Sequence, residues 1–158
     1  MQKIYIETSV ISYLAAKPSR DLYTLMRQEI TWDWWNNTKN NFDCYYSDVV
    51  ITELLGGNPT EAAKRLKLSG SLNLLGASDQ SANLAKELIA DNILPQKSRA
   101  DAEHIAISCI FNMDYVLSWN MKHIANYQTQ RGLERYCTKN NIAFPYLITP
   151  EQLMEEVY

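Results

Sequence analysis

The segment from Ser98 to Asn120 constrains this chain more than any other. Apolar residues fall at Ala102, Ile105, Ala106, Cys109, Ile110 and Met113, a helical spacing held over three turns. Tyr115-Val116-Leu117-Ser118-Trp119 then reads as a strand, and Asn120 stands just past its end. Ser98 occupies the N-cap position and Asp101 follows three residues later. A helix feeding a strand is half of an α/β unit.

The rest of the chain repeats this alternation. Lys3-Ile4-Tyr5-Ile6 reads as a buried strand, and Val10 to Ala16 as a short helix capped by Thr8 or Ser9 and ended by Pro18. Residues 19 to 38 give a second helical pattern, with Leu22, Leu25, Met26 and Ile30 on one face and Trp32, Trp34 and Trp35 at its end. Asn36 to Asn41 reads as a loop, and 44–47 as a second strand. Val49 to Leu55 continues as a helix that stops at Gly56-Gly57. Asn58-Pro59-Thr60-Glu61 opens another helix with a cap, a proline and an acid. A third strand at 72–75, a helix at 78–90, a polar and basic helix at 122–140 and a last strand at 143–148 follow. Thr149-Pro150-Glu151 starts a C-terminal helix. Strands alternating with helices predict an α/β fold of three layers, with a mainly parallel central sheet of four to five strands covered on both faces. The length of 158 residues, without a linker or repeat, predicts a single domain over 1–158.

Composition removes several classes of function. No apolar run approaches a membrane span, and a strand at the very start leaves no room for a signal peptide. Cys44, Cys109 and Cys137 are widely spaced, which points to reduced thiols in the cytoplasm and away from a cysteine zinc site. His104 and His123 are too few for a histidine-rich centre. Net charge is −3, so any nucleic-acid contact must be local.

In open parallel sheets, functional groups gather beyond the carboxyl ends of the strands. Glu7 follows the first strand and Asn120 the fourth, Glu53 lies a turn or so of helix beyond the second, and Asp101 begins the helix leading to the fourth. Four oxygen-bearing side chains, three of them acids, can therefore converge. Crowded carboxylates repel unless a cation joins them, and hard divalent ions such as Mg²⁺ take oxygen ligands. An ion so held can polarise a phosphodiester and activate water.

These residues carry a resemblance. Ile4-Tyr5-Ile6-Glu7-Thr8-Ser9-Val10-Ile11-Ser12-Tyr13-Leu14, Ser47-Asp48-Val49-Val50-Ile51-Thr52-Glu53-Leu54, Asp101-Ala102-Glu103-His104-Ile105-Ala106 and Tyr115-Val116-Leu117-Ser118-Trp119-Asn120 resemble, in order and spacing, the PIN-domain proteins related to VapC toxins. The resemblance implies a Mg²⁺- or Mn²⁺-dependent endoribonuclease acting on RNA, often the toxin of a toxin–antitoxin pair. It implies an antitoxin protein as partner and a homodimer. Glu7, Glu53, Asp101 and Asn120 match the family's metal-binding and catalytic positions. Two positions depart from its pattern: Glu7 replaces an aspartate, and Asn120 replaces a fourth acid. Both weaken the expected metal affinity, with Glu103 and Asp48 as nearby acids. The departures also support another reading, a catalytically weakened or inactive PIN-like module that binds RNA or protein. An unrelated phosphatase would need a nucleophile at a strand end, and no DxD follows the first strand.

Each residue also has a structural role open to it. Ser98-Arg99-Ala100-Asp101 is a variant capping box, Asp48 suits a cap for the helix carrying Glu53, and Asn120 suits a cap for the following helix. His104 reads as a partner to a neighbouring acid or a surface residue, and His123 as a helical surface residue or, less favoured, a phosphate contact. The tryptophans at 32–35 read as core or dimer packing. Lys122, Arg131, Arg135 and Lys139, with Lys97 and Arg99, form a basic run that is either a solvated face or a guide for a nucleic-acid backbone.

Overall fold

A computed structural model describes residues 1–155. Five strands form one sheet: β1 (Lys3–Ile6), β2 (Asp43–Ser47), β3 (Asn73–Leu75), β4 (Tyr115–Leu117) and β5 (Tyr146–Ile148). Their order is β3-β2-β1-β4-β5, and every pairing is parallel. β1 is central: Ile4 pairs with Cys44 on one side and Tyr115 on the other. Ile4, Tyr5 and Ile6 are fully buried, as expected of a strand covered on both faces.

Eight helices complete the described chain: α1 (Thr8–Ala15), α2 (Leu22–Asp33), α3 (Asp48–Leu54), α4 (Pro59–Ser69), α5 (Asp79–Ala90), α6 (Arg99–Ile110), α7 (Tyr127–Lys139) and α8 (Pro150–Glu155). α1 packs on α2, α3 and α4, α2 packs on α8, and α5 packs on α6. The result is the three-layer α/β/α arrangement. Among the described residues no helix is long and apolar enough to cross a membrane.

Helix ends follow local chemistry. Asn58 accepts from the Thr60 and Glu61 amides before Pro59 sets the first turn, and Ser78 and Ser81 form a reciprocal capping box. α5, α6 and α7 all end through an asparagine of positive φ, at Asn92, Asn112 and Asn141. The next residue, apolar each time, donates back to the helix: Ile93 to Leu88, Met113 to Ser108 and Ile142 to Cys137.

The segment from 19 to 41 differs from expectation. α2 stops at Asp33, a π-helical turn runs through Trp34–Thr38, and a 3₁₀ turn follows at Lys39–Asn41, where a loop was expected. Its buried face is also different. Leu22 and Met26 are exposed, whereas Gln28, Thr31 and Trp34 are buried. The polar pair is buried because it is bonded. Gln28 donates to the Lys17 carbonyl and accepts from the Ser19 amide, and Thr31 accepts from the Trp119 indole at 2.8 Å. Trp34 is core, Trp32 donates to the Leu14 carbonyl, and Trp35 lies under the Lys39 ammonium.

Two further local readings are corrected. α7 begins at Tyr127, capped by Asn126, so His123 lies in a turn rather than a helix. α3 is capped by Ser47, not Asp48; both carboxylate oxygens of Asp48 instead accept from the Ala77 amide at 3.1 Å.

Candidate active site

The centre of the sheet brings the site together. β1 and β4 are neighbours, yet the chain leaves β1 towards β2 and returns to β4 only after β3, so a crevice opens between their carboxyl ends. The Glu7 amide continues the ladder to the Leu117 carbonyl at 3.0 Å. Glu7 is buried, and its Oε1 accepts from the hydroxyls of Ser9 and Ser118, both at 2.5 Å. Those hydroxyls accept in turn from the amides of Trp119 and Asn120. The longer glutamate is thus pinned at one oxygen by groups from both strand ends.

Glu53 reaches the same place from the last turn of α3 and accepts from the Thr8 hydroxyl at 2.9 Å. It also pairs with Nε2 of His104. His104 is fully buried, with Nδ1 2.6 Å from the Tyr5 hydroxyl, which lies 2.7 Å from the Ser47 hydroxyl. This chain of hydroxyls can run in either direction, so the imidazole can donate to Glu53 or present a bare nitrogen. Ligand atoms of Glu7, Glu53 and His104 lie within 4.8 Å of one another.

Asp101 stands beside this trio in the first turn of α6. Ser98, at its N-cap, makes no side-chain cap bond, so the capping-box reading fails and Asp101 is left to face the site. It accepts from the Asn120 amide at 3.1 Å. The Asn120 oxygen accepts from the His123 amide at 3.1 Å, capping the 120–123 turn rather than a helix. Glu103 turns away and pairs with Arg99 at 3.2 Å.

Charges in the site perturb one another. Burial raises the Asp101 pKa, and the negative charges of Glu7 and Glu53 push the same way, against His104 and His123. For His104, burial acts downwards, but the bond to Glu53 and the charges of Glu7, Glu53 and Asp101 win and raise it. Glu53 is its counterpart: burial acts upwards, and the pull of His104 and Thr8 brings it below the usual range. The Tyr5 phenol is pushed well up by burial and stays protonated.

Glu7, Glu53, Asp101 and Asn120 therefore all lie at one sheet edge. His104 joins them as the partner of an acid, Glu53, from a fully buried position and not from the surface. Its signal was available, because positions 101 and 104 share one face of a helix. The donor set of clustered acids and an imidazole, partly buried and mutually repulsive, fits a divalent cation.

No protein-family model matches the sequence, and no curated protein matches it in sequence. Solved structures do match in fold. VapC20 of Mycobacterium tuberculosis, a sarcin-ricin loop cleaving toxin, aligns with a TM-score of 0.55 and 17% identity over 72% of this chain and 86% of that one. VapBC2 from Rickettsia felis, bound to a DNA fragment from its promoter, aligns with a TM-score of 0.58 and 14% identity over 77% of this chain and 90% of that one. VapBC-1 from nontypeable Haemophilus influenzae aligns at 0.54 and 14% over the same shares. The chain has the VapC-like PIN-domain fold.

Proposed function

We propose that this protein is a single-domain, metal-dependent endoribonuclease that hydrolyses RNA phosphodiester bonds. The observation that carries the reading is the approach of Glu7, Glu53 and His104 within 4.8 Å, with Asp101 beside them, at the carboxyl edge of a VapC-like sheet. The charges of such a group repel until one member takes up a proton or a cation joins it. A Mg²⁺ or Mn²⁺ ion bound there would supply Lewis acidity and a water of lowered pKa. Glu7, Glu53 and Asp101 would hold it. Asn120 orients Asp101, and His104 either orients Glu53 through Nε2 or releases it and turns that nitrogen to the ion.

The test is RNA cleavage with added Mn²⁺, comparing the protein with Asp101→Asn and Glu53→Gln. Loss of cleavage in both variants supports the reading. Equal residual activity in all three removes it.

The fold shared with VapC20 and the two VapBC proteins supports a role as the toxin of a type II toxin–antitoxin pair. An antitoxin protein would then be the partner, and a homodimer the assembly, in the cytoplasm. Three buried free cysteines suit a reducing compartment. Exposed Leu22, Tyr23 and Met26 on α2 leave apolar surface for a partner chain to cover.

One observation favours a second reading. At position 120 the site holds a hydrogen-bond donor facing Asp101 instead of a fourth charge. A weakened or inactive module that binds RNA or protein without turnover would tolerate that exchange. It requires binding that persists in chelator and no cleavage with any divalent ion.

A further inference from the structure

Tyr5 stands at the middle of the central strand, between Tyr45 of β2 and Val116 of β4, and is fully buried. For packing alone a phenyl ring would serve. What distinguishes Tyr5 is its hydroxyl, and a buried hydroxyl needs partners. It has two, from distant parts of the chain. Nδ1 of His104 lies 2.6 Å away and Oγ of Ser47 2.7 Å away. His104 and Ser47 are themselves fully buried. Among the described residues, Nδ1 has no other hydrogen-bond partner.

The groups therefore form a line from Ser47 through Tyr5 and His104 to Glu53. With the imidazole proton on Nε2, His104 donates to Glu53 and its Nδ1 is bare. The Tyr5 hydroxyl then donates to Nδ1, and Ser47 donates to Tyr5. With Nε2 bare, the proton stands on Nδ1. Tyr5 then accepts from Nδ1 and turns its own proton to Ser47. Ser47 Oγ already accepts from the Val50 amide at 3.4 Å, and its second lone pair takes this proton. Burial holds the pKa of the phenol well up, so Tyr5 keeps a proton to place in both arrangements. The exchange rotates two hydroxyl protons and leaves the buried rings where they are. A buried N–H without an acceptor is costly, so Nε2 can be bare in this core because Tyr5 can receive the Nδ1 proton.

We infer that Tyr5, backed by Ser47, is a positioning residue that decides which service His104 renders: Nε2–H steadying Glu53, or bare Nε2 bound to the cation. An ion content with oxygen ligands, such as Mg²⁺, leaves the first arrangement in place. Mn²⁺, with its greater affinity for nitrogen, draws the second. The inference rests on the reading of the acidic site as a metal centre; the part of Tyr5 in it rests on the buried hydrogen bonds.

The experiment is pulsed electron paramagnetic resonance of bound Mn²⁺ at mildly alkaline pH, which detects a directly bound imidazole nitrogen, together with calorimetric titration of Mn²⁺ and Mg²⁺. Wild type shows the nitrogen coupling and His104→Asn lacks it. Tyr5→Phe loses most of it. Its Mn²⁺ affinity falls roughly ten- to a hundredfold while its Mg²⁺ affinity stays within about threefold of wild type. A packing defect lowers both affinities together, so the ratio separates the two causes. The double variant Tyr5→Phe with His104→Asn has the ratio of His104→Asn alone, because Tyr5 acts through the imidazole. In wild type, nitrogen magnetic resonance of His104 finds the proton on Nε2 without metal and with Mg²⁺, and on Nδ1 with Zn²⁺, a diamagnetic ion that takes nitrogen ligands.

Mn²⁺ bound by wild type without nitrogen coupling overturns the inference and leaves the metal centre standing. So does full coupling in Tyr5→Phe, or an equal fall in its two affinities. A proton that stays on one nitrogen with every ion overturns it in wild type alone, whether or not Tyr5→Phe folds. Failure of wild type to bind any of these ions removes the metal reading and the inference with it.

Discussion

The Asn120 side-chain amide donates to Asp101 Oδ1 at 3.1 Å, where a second acid would face Asp101 with like charge. The asparagine removes one source of repulsion from a site that already holds Glu7, Glu53 and Asp101. It lets the fold tolerate the cluster more easily without a cation.

Asn120→Asp should reverse that balance. The added carboxylate tightens Mn²⁺ binding by about tenfold, or ~1.4 kcal/mol. In chelator the same change lowers the melting temperature, because the Asp101 partner becomes a like charge. Calorimetric titration and thermal melts with and without Mn²⁺ read both effects. Unchanged values in both would show that position 120 does not act on the site.

Ser118→Ala removes a donor from Glu7 and an acceptor from the Asn120 amide. The expected loss is about 1–3 kcal/mol of stability, with Mn²⁺ affinity down roughly tenfold. Ser108→Ala is the control. That hydroxyl is also buried but, among the described residues, bonds to the His104 carbonyl of its own helix. It should lower stability and leave metal affinity unchanged; a fall in affinity for both would make the Ser118 effect a general one.

His104 gives the site a nitrogen donor, which favours Mn²⁺ or Co²⁺ over Mg²⁺. Wild type should bind Mn²⁺ at least about tenfold more tightly than Mg²⁺, and His104→Asn should narrow that ratio. Saturating Mn²⁺ at 100 times its dissociation constant should add about 2.7 kcal/mol to folding stability. A ratio unaltered by the substitution would mean that the imidazole serves Glu53 alone.

The pairing of His104 with Glu53 sets a pH window in the metal-free protein. Although burial opposes it, the His104 pKa is raised, so its contribution is full below the ordinary value of about 6.5 and lost as pH rises through the folded value. Glu53 is lowered despite burial, so its contribution is present above about 4.3 and lost as pH falls through its folded value. Asp101, raised by burial and Glu7, tilts the window towards acid. Thermal melts across pH should therefore peak between these two values and fall on both sides. His104→Asn should abolish the decline on the alkaline side; its survival would place the titration elsewhere.

The alternation of strands and helices was legible because strand period, caps and prolines are local signals. The positions of Glu7, Glu53, Asp101 and Asn120 at the sheet edge followed from the same reading. What escaped it depends on partners far along the chain. Gln28 and Thr31 look like surface residues until Lys17, Ser19 and Trp119 supply their bonds, so the apolar Leu22 and Met26 were given the core face instead. His104 lies buried because Tyr5 and Glu53, 99 and 51 residues away, meet its two nitrogens. Asp48 caps nothing because Ser47 precedes it and Ala77 claims its oxygens.

The central place of β1 has a consequence for how the molecule comes into being. Its second neighbour is β4, more than a hundred residues later, so a chain emerging from the ribosome must keep a bare hydrophobic edge until β4 has followed it out. Glu7 meets Ser118 only when that edge closes. Until then the site is incomplete, because Glu7 lacks the Ser118 hydroxyl that holds it.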